Sequence, residues 1–241
     1  MLAAGSSPPA APVTARLTAV QVLDYAAAAA QRQPAVIPRP GQFYYTAISG
    51  DGFVTRTWRS VDGSRNGLEV SGAQQTVLTG CVDGRPKVRP GGDGGNQFQP
   101  CIPRPAYLPG LPARAAAIDG YLARSISDPN TRRNPVVRQK FVERVLRTNY
   151  LLPAQRAALY EFIAATPGMK AVSDVRDGAG RRSVGVSSTD GMMTVILIFD
   201  PRTYAYLGTT VRYDDRAHGL SGDSSVALVA TAIVDRVGQL P

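Results

Sequence analysis

The sequence predicts an α+β fold, a curved antiparallel sheet with helices gathered on its concave side. Three observations point there. Hydrophobic periodicity runs helix, strands, helices, strands along the chain. The strand candidates are joined by short turn signals such as Gly50-Asp51-Gly52, Asp177-Gly178 and Asp190-Gly191, which suit hairpins rather than helical crossovers. A Gly/Pro-rich stretch separates the first strands from the middle helices, and no repeat is evident.

The first element is a helix. Thr18 and Gln21 have the spacing of a capping box, and the alanine tract carries the helix to about Gln33, before Pro34. Val20, Leu23 and Ala27 are expected to share its buried stripe. Pro38-Arg39-Pro40-Gly41 then releases the chain into strands. Residues 42–49 (QFYYTAIS) are aromatic and β-branched. In residues 53–61 (FVTRTWRSV), Phe53, Thr55, Thr57 and Arg59 alternate with Val54, Arg56, Trp58 and Ser60, a strand with one wet face. Two shorter strands, 68–70 and 76–79, follow further turn signals.

Residues 80–112 are unlike the rest, holding seven glycines and seven prolines between and around the chain's two cysteines, Cys81 and Cys101. A disulfide closing this loop would stabilise the fold by roughly 3 kcal/mol, and it would place the protein in an oxidising compartment. Two free thiols in a reducing compartment are the alternative. Helical periodicity then resumes over 113–124, 135–148 and from Pro153 to Pro167-Gly168. Beyond Lys170 the period returns to two, with strands expected at 171–175, 183–187, 192–199, 204–213 and 226–237. Residues 192–199 (MMTVILIF) are apolar throughout, as in a strand covered on both faces. The expected organisation is a linker or disordered tail at 1–17 and a single domain at 18–241 that includes the 80–112 loop.

Composition narrows function more than motifs do. A hydrophobic content of 44% supplies a core. No apolar run reaches the roughly 18 residues that a spanning helix needs. The start of the chain lacks the basic and apolar regions of a signal peptide, so export is expected to depend on a segment outside this sequence, with residues 6–13 (SSPPAAPV) as linker. Of the net charge of +9, residues 80–150 carry the greater part, with 12 Lys/Arg against 5 Asp/Glu. Arg132, Arg133, Arg138, Arg144 and Arg147 are the candidate basic contact surface for an anionic membrane or protein partner; a merely solvated face is the alternative. Nucleic acid is not expected, because no reading motif accompanies the charge.

No catalytic residue, metal site or cofactor is assigned. The single histidine, His218, lies near Ser221 and Asp223, but a triad is assembled from separate parts of a fold. Glu69, Glu143 and Glu161 are scattered, the last two on expected helix surfaces, and give no glycosidase pair. Gly178-Ala179-Gly180 lies in a hairpin turn, not ahead of a helix, so phosphate cradling is not expected. Phe43, Tyr45, Trp58 and Phe199 are candidates to line a ligand cleft between sheet and helices, the alternative being that they fill the core.

Residues 42–49, 61–68 (VDGSRNGL), 105–112 (PAYLPGLP), 152–160 (LPAQRAALY) and 198–204 (IFDPRTY) resemble segments of an actinobacterial family of membrane-anchored extracytoplasmic proteins. Members are often encoded beside extracytoplasmic-function sigma factors. The resemblance spans most of residues 18–238, and the Cys81…Cys101 pair is similar to the family pattern. It implies an extracytoplasmic domain held at the cytoplasmic membrane by an N-terminal segment, with no catalytic residue to carry over. The element order is more distantly similar to the half-barrel of bacterial lipoprotein carriers and of periplasmic regulators of envelope-stress sigma factors. The expected function is a non-enzymatic binding or sensor domain, with a carrier of lipid or another hydrophobic ligand as the alternative. A hydrophobic or envelope-derived ligand and a membrane-surface or protein partner are the expected partners.

Overall fold

A computed structural model describes residues 17–50, 52–86, 100–215 and 219–241. The expected linker at 6–13 and His218 lie outside the described residues. The chain is α+β, with a large antiparallel sheet that is curved but not closed.

Helix α1, Ala19–Gln31, starts as its capping box dictates: the Thr18 hydroxyl accepts the Gln21 N–H at 3.2 Å, and Gln21 Oε1 accepts the Thr18 N–H at 2.9 Å. Its buried stripe is Val22, Leu23, Ala26, Ala27 and Ala30. Val20, expected inside, is instead 47% exposed; the stripe runs at spacings of three and four through Ala19, Val22, Ala26 and Ala30 beside Leu23 and Ala27, which leaves position 20 on the outer face. Strands β1 (Phe43–Gly50), β2 (Phe53–Ser60), β3 (Gly67–Ser71) and β4 (Gln74–Leu78) form a meander. A two-residue ladder of β5 (Cys81–Val82) and β6 (Arg85–Pro86) follows, and a disulfide joins Cys81 to Cys101.

The middle helices are α2 (Ala115–Leu122), α3 (Pro129–Arg133), α4 (Pro135–Thr148) and α5 (Pro153–Ala164). Asp128 caps α3 and Asn134 caps α4, each through its side-chain oxygen, and α3, α4 and α5 each carry proline in the first turn. Strands β7 (Lys170–Arg176), β8 (Arg182–Thr189), β9 (Met193–Phe199), β10 (Tyr206–Asp215) and β11 (Leu220–Val234) complete the sheet.

The nine main strands lie in the order β4-β3-β2-β1-β11-β10-β9-β8-β7, antiparallel throughout. Strand β11 is 15 residues long and serves two partners. Leu220–Ala227 pair with β10, whereas Val226–Val234 pair with β1. The two halves of the sheet are thus joined through one strand.

The helices pack on β7, β8 and β9. Their apolar faces meet Val186, Leu197 and Phe199 in the main core, where the Tyr160 ring stands edge-on to Phe199 with centroids 5.5 Å apart. Strand β9 is buried on both faces, as its continuous apolar run implies. Leu197 and Phe199 turn to the helices, while Ile196 and Ile198 pack with Val175 on the other side. There the β7–β8 turn lies against the backbone of β11. Asp177, whose side chain is fully buried, accepts the N–H groups of Ala179 and Arg181 and pairs with the Arg181 guanidinium at 2.6 Å.

Candidate functional site

Where β11 exchanges β10 for β1, the sheet and the helix layer part. Gly208 faces Ala227 as the first residue of β10 to pair with β11, and a register shift separates it from Tyr206 in the β9 ladder. Its φ is +148°, and a Cβ there would fall 2.0 Å from the Val226 carbonyl oxygen, so only glycine allows this close approach. Upstream of it, the chain from Arg202 to Tyr206 borders a cleft instead of continuing alongside β11.

The cleft has a volume of about 580 Å³. Tyr44 of β1 and Leu228 and Thr231 of β11 line it on the sheet side. Ala26, Ala28, Ala29 and Ala30 of α1 form another wall, where the alanine tract keeps side-chain bulk out of the space. Arg156 and Tyr160 enter from α5, and Tyr204 closes on Tyr25 with ring centroids 4.9 Å apart. Tyr204 holds φ +55°, unusual for a residue with a side chain, and its N–H donates to the Asp200 carbonyl. The Asp200 carboxylate accepts the N–H groups of Arg202 and Thr203; the Thr203 bond chiefly, against a smaller opposing effect of burial, holds its pKa below the usual value.

The electrostatics of the cleft are one-signed. Arg32, Arg156 and Arg202 line it, and no aspartate or glutamate does. Burial pushes the Tyr44 phenol up to about 12, with Arg156 and a hydrogen bond to Thr231 acting in the opposite direction. Burial also raises Tyr160, again opposed by Arg156, and it raises Tyr206, whose hydroxyl shares a 2.7 Å hydrogen bond with Thr209. The Tyr160 hydroxyl is buried without any hydrogen-bond partner.

A second, smaller cavity of about 270 Å³ lies further along β1, lined by Thr46, Ile48, Thr57, Arg59 and Arg147. Tyr44, Thr46 and Ile48 share one face of β1, so both cavities have the same strand face beneath them. A third cavity, about 750 Å³, adjoins the disulfide and includes Arg59, Arg65 and Arg104. Burial, then repulsion from Arg104, lowers the Arg59 pKa. Pro86 and Pro100, on either side of residues outside the described set, form part of that rim.

The four cleft candidates from sequence are core residues. Phe43, Tyr45 and Trp58 cluster with Ala47 and Val234 on the sheet face opposite Tyr44, and Phe199 lies in the main core. Trp58 donates its indole N–H to the Gln239 carbonyl at 2.6 Å. Of the five basic candidates, Arg138 and Arg132 converge on Asp119 at 2.6 and 3.4 Å, and Arg138 also lies over the Phe162 ring. Arg147 pairs at 2.7 Å with Glu143, which is buried rather than on the helix surface. Only Arg133 and Arg144 are exposed, so these five arginines do not form a common solvent-facing surface. The other three are held by carboxylates, Arg132 and Arg138 by the half-exposed Asp119 and Arg147 by the buried Glu143.

Sequence reasoning missed Tyr44, Arg156, Tyr160, Arg202 and Tyr204. A signal was present: two of the resemblance segments, 152–160 and 198–204, supply four of them. Among the described residues no cluster of His, Cys, Asp and Glu could hold a metal ion. No family model matches the chain, and no curated protein matches it.

Proposed function

We propose that this protein is a non-catalytic extracytoplasmic binding domain that holds an amphiphilic ligand in the cleft between α1, α5 and the β1/β11 part of the sheet. The cleft itself carries the reading: about 580 Å³, within the range of sites for small organic ligands, walled by alanines and tyrosines. The Cys81–Cys101 disulfide supports an oxidising compartment. No helix among the described residues is long and apolar enough to cross a membrane. Attachment to the membrane through an N-terminal segment, and a role in reporting to a sigma-factor system, rest on the family resemblance.

A carrier is the second reading, favoured by the position of the cleft between a curved sheet and its helices, the arrangement of the lipoprotein-carrier half-barrel. The two readings share the site and differ in whether the ligand is handed on. Native mass spectrometry of protein isolated from an envelope fraction should find added mass that organic extraction removes. Ala29→Trp, which places an indole in the cleft, should abolish that mass while leaving the melting temperature unchanged within a few degrees. A bare protein, or an adduct insensitive to Ala29→Trp, would sink the proposal.

A further inference from the structure

We infer that the cleft selects an amphiphile with an anionic head, a carboxylate or phosphate, seated on the Arg156 guanidinium and the hydroxyl of Tyr160. The inference rests on the cleft being the binding site and adds the chemistry of the head group. Its first support is the imbalance of charge: three arginines are among the residues that line the cleft, and no aspartate or glutamate is. Arg202 has the Asp200 carboxylate nearby. Arg156 does not: its side-chain hydrogen bond goes to the neutral Gln33 Oε1 at 2.8 Å, and it forms no ion pair among the described residues. A half-buried guanidinium answered only by an amide is short of an acceptor.

The second support is independent of the first. The Tyr160 hydroxyl is buried in the same wall and has no hydrogen-bond partner. Leaving such a donor unmet is costly, and a ligand oxygen would remove that cost. Arg156 and Tyr160 are one helical turn apart on α5, the spacing that brings two side chains onto one face. A planar guanidinium with a neutral hydroxyl donor beside it suits an anion with several oxygens. Tyrosine rings alone would equally suit a quaternary ammonium, but three arginines repel one.

Affinities of the full chain for four twelve-carbon probes, measured by calorimetry below their micelle concentrations, test this. The probes are dodecanoate, dodecyl phosphate, dodecyl maltoside and dodecyltrimethylammonium. At least one anionic probe should bind about tenfold or more tighter than the neutral and cationic ones, and the tighter anion identifies carboxylate or phosphate as the preferred head. Arg156→Gln should weaken anion binding by about ten- to hundredfold and leave the maltoside within about twofold. Tyr160→Phe, which preserves packing, should cost the anions about three- to tenfold. Equal affinities that all fall in Ala29→Trp would keep the cleft and overturn the anionic head, as would anion binding unchanged in a folded Arg156→Gln. Binding of no probe, or binding untouched by Ala29→Trp, would overturn both readings.

Discussion

Burial decides the behaviour of individual side chains here more than their type does. Asp177 is a carboxylate with no exposed surface, held by two backbone N–H donors and Arg181. Asp177→Ala leaves those donors unmet under the β7–β8 turn, and urea denaturation should show a loss of about 2–3 kcal/mol. The buried tyrosines give a pH dependence of definite sign. Tyr44 titrates near 12 in the fold, and Tyr160 and Tyr206 are pushed in the same direction, all chiefly by desolvation. The unfolded chain loses these protons first, near pH 10. Stability from these groups is therefore intact below pH 10 and falls as pH rises through the folded values, by up to about 1.4 kcal/mol per pH unit for each. Tyrosinate absorbance should rise in two stages, the second coincident with loss of the far-ultraviolet helix signal. A single stage without unfolding would contradict the burial of all three.

At the scale of elements, glycine placement fixes where the sheet divides. Gly208→Ala sets a methyl group against the Val226 carbonyl at the point where β10 leaves β11. A loss of about 3 kcal/mol or more in a thermal or urea melt is expected, with weakened ligand binding because the cleft border moves. Most elements were legible in the sequence. The α1 capping box, the 135–148 helix and the doubly buried β9 each followed from a local rule. The parity of β1 did not. Residues 43–47 are buried on both faces, so alternation carries no mark of which face meets the helices, and Tyr45 was placed where Tyr44 belongs. The short α3 was also missed, because its five residues, PNTRR, bury none of their side chains and so carry no apolar periodicity to follow the Asp128-Pro129 start signal. The beginning of β11 was lost because residues 221–225 (SGDSS) offer no apolar side chain, so alternation of hydrophobicity cannot flag it.

For the whole molecule, the disulfide and the cleft have separate consequences. The Cys81–Cys101 bond closes a segment with a sequence separation of 20 residues. Replacing both cysteines by serine should cost about 3 kcal/mol, which for a chain of this size lowers the melting temperature by about 6–12 °C. A reducing agent should reproduce that shift in the unmodified protein and leave the double variant unaffected. The cleft takes no lining residue from this loop, being built from α1, β1, α5, β11 and the chain at 202–206. The cysteine loop drew attention because its composition is distinctive, whereas the cleft is assembled from ordinary alanines, tyrosines and arginines far apart in the chain. Its lining became visible only once the register of β11 was known.

That register also dictates an order of events during synthesis. Phe43 pairs with Val234, across most of the length of the chain, and no earlier strand takes that place beside β1. The β1–β4 meander therefore emerges long before its neighbour and waits with an unpaired edge, a template for mispairing with other chains. Closing so long a loop is slow. A nascent chain halted before β11 should expose that edge to chaperones, and refolding of the complete chain should be limited by the arrival of its last strand.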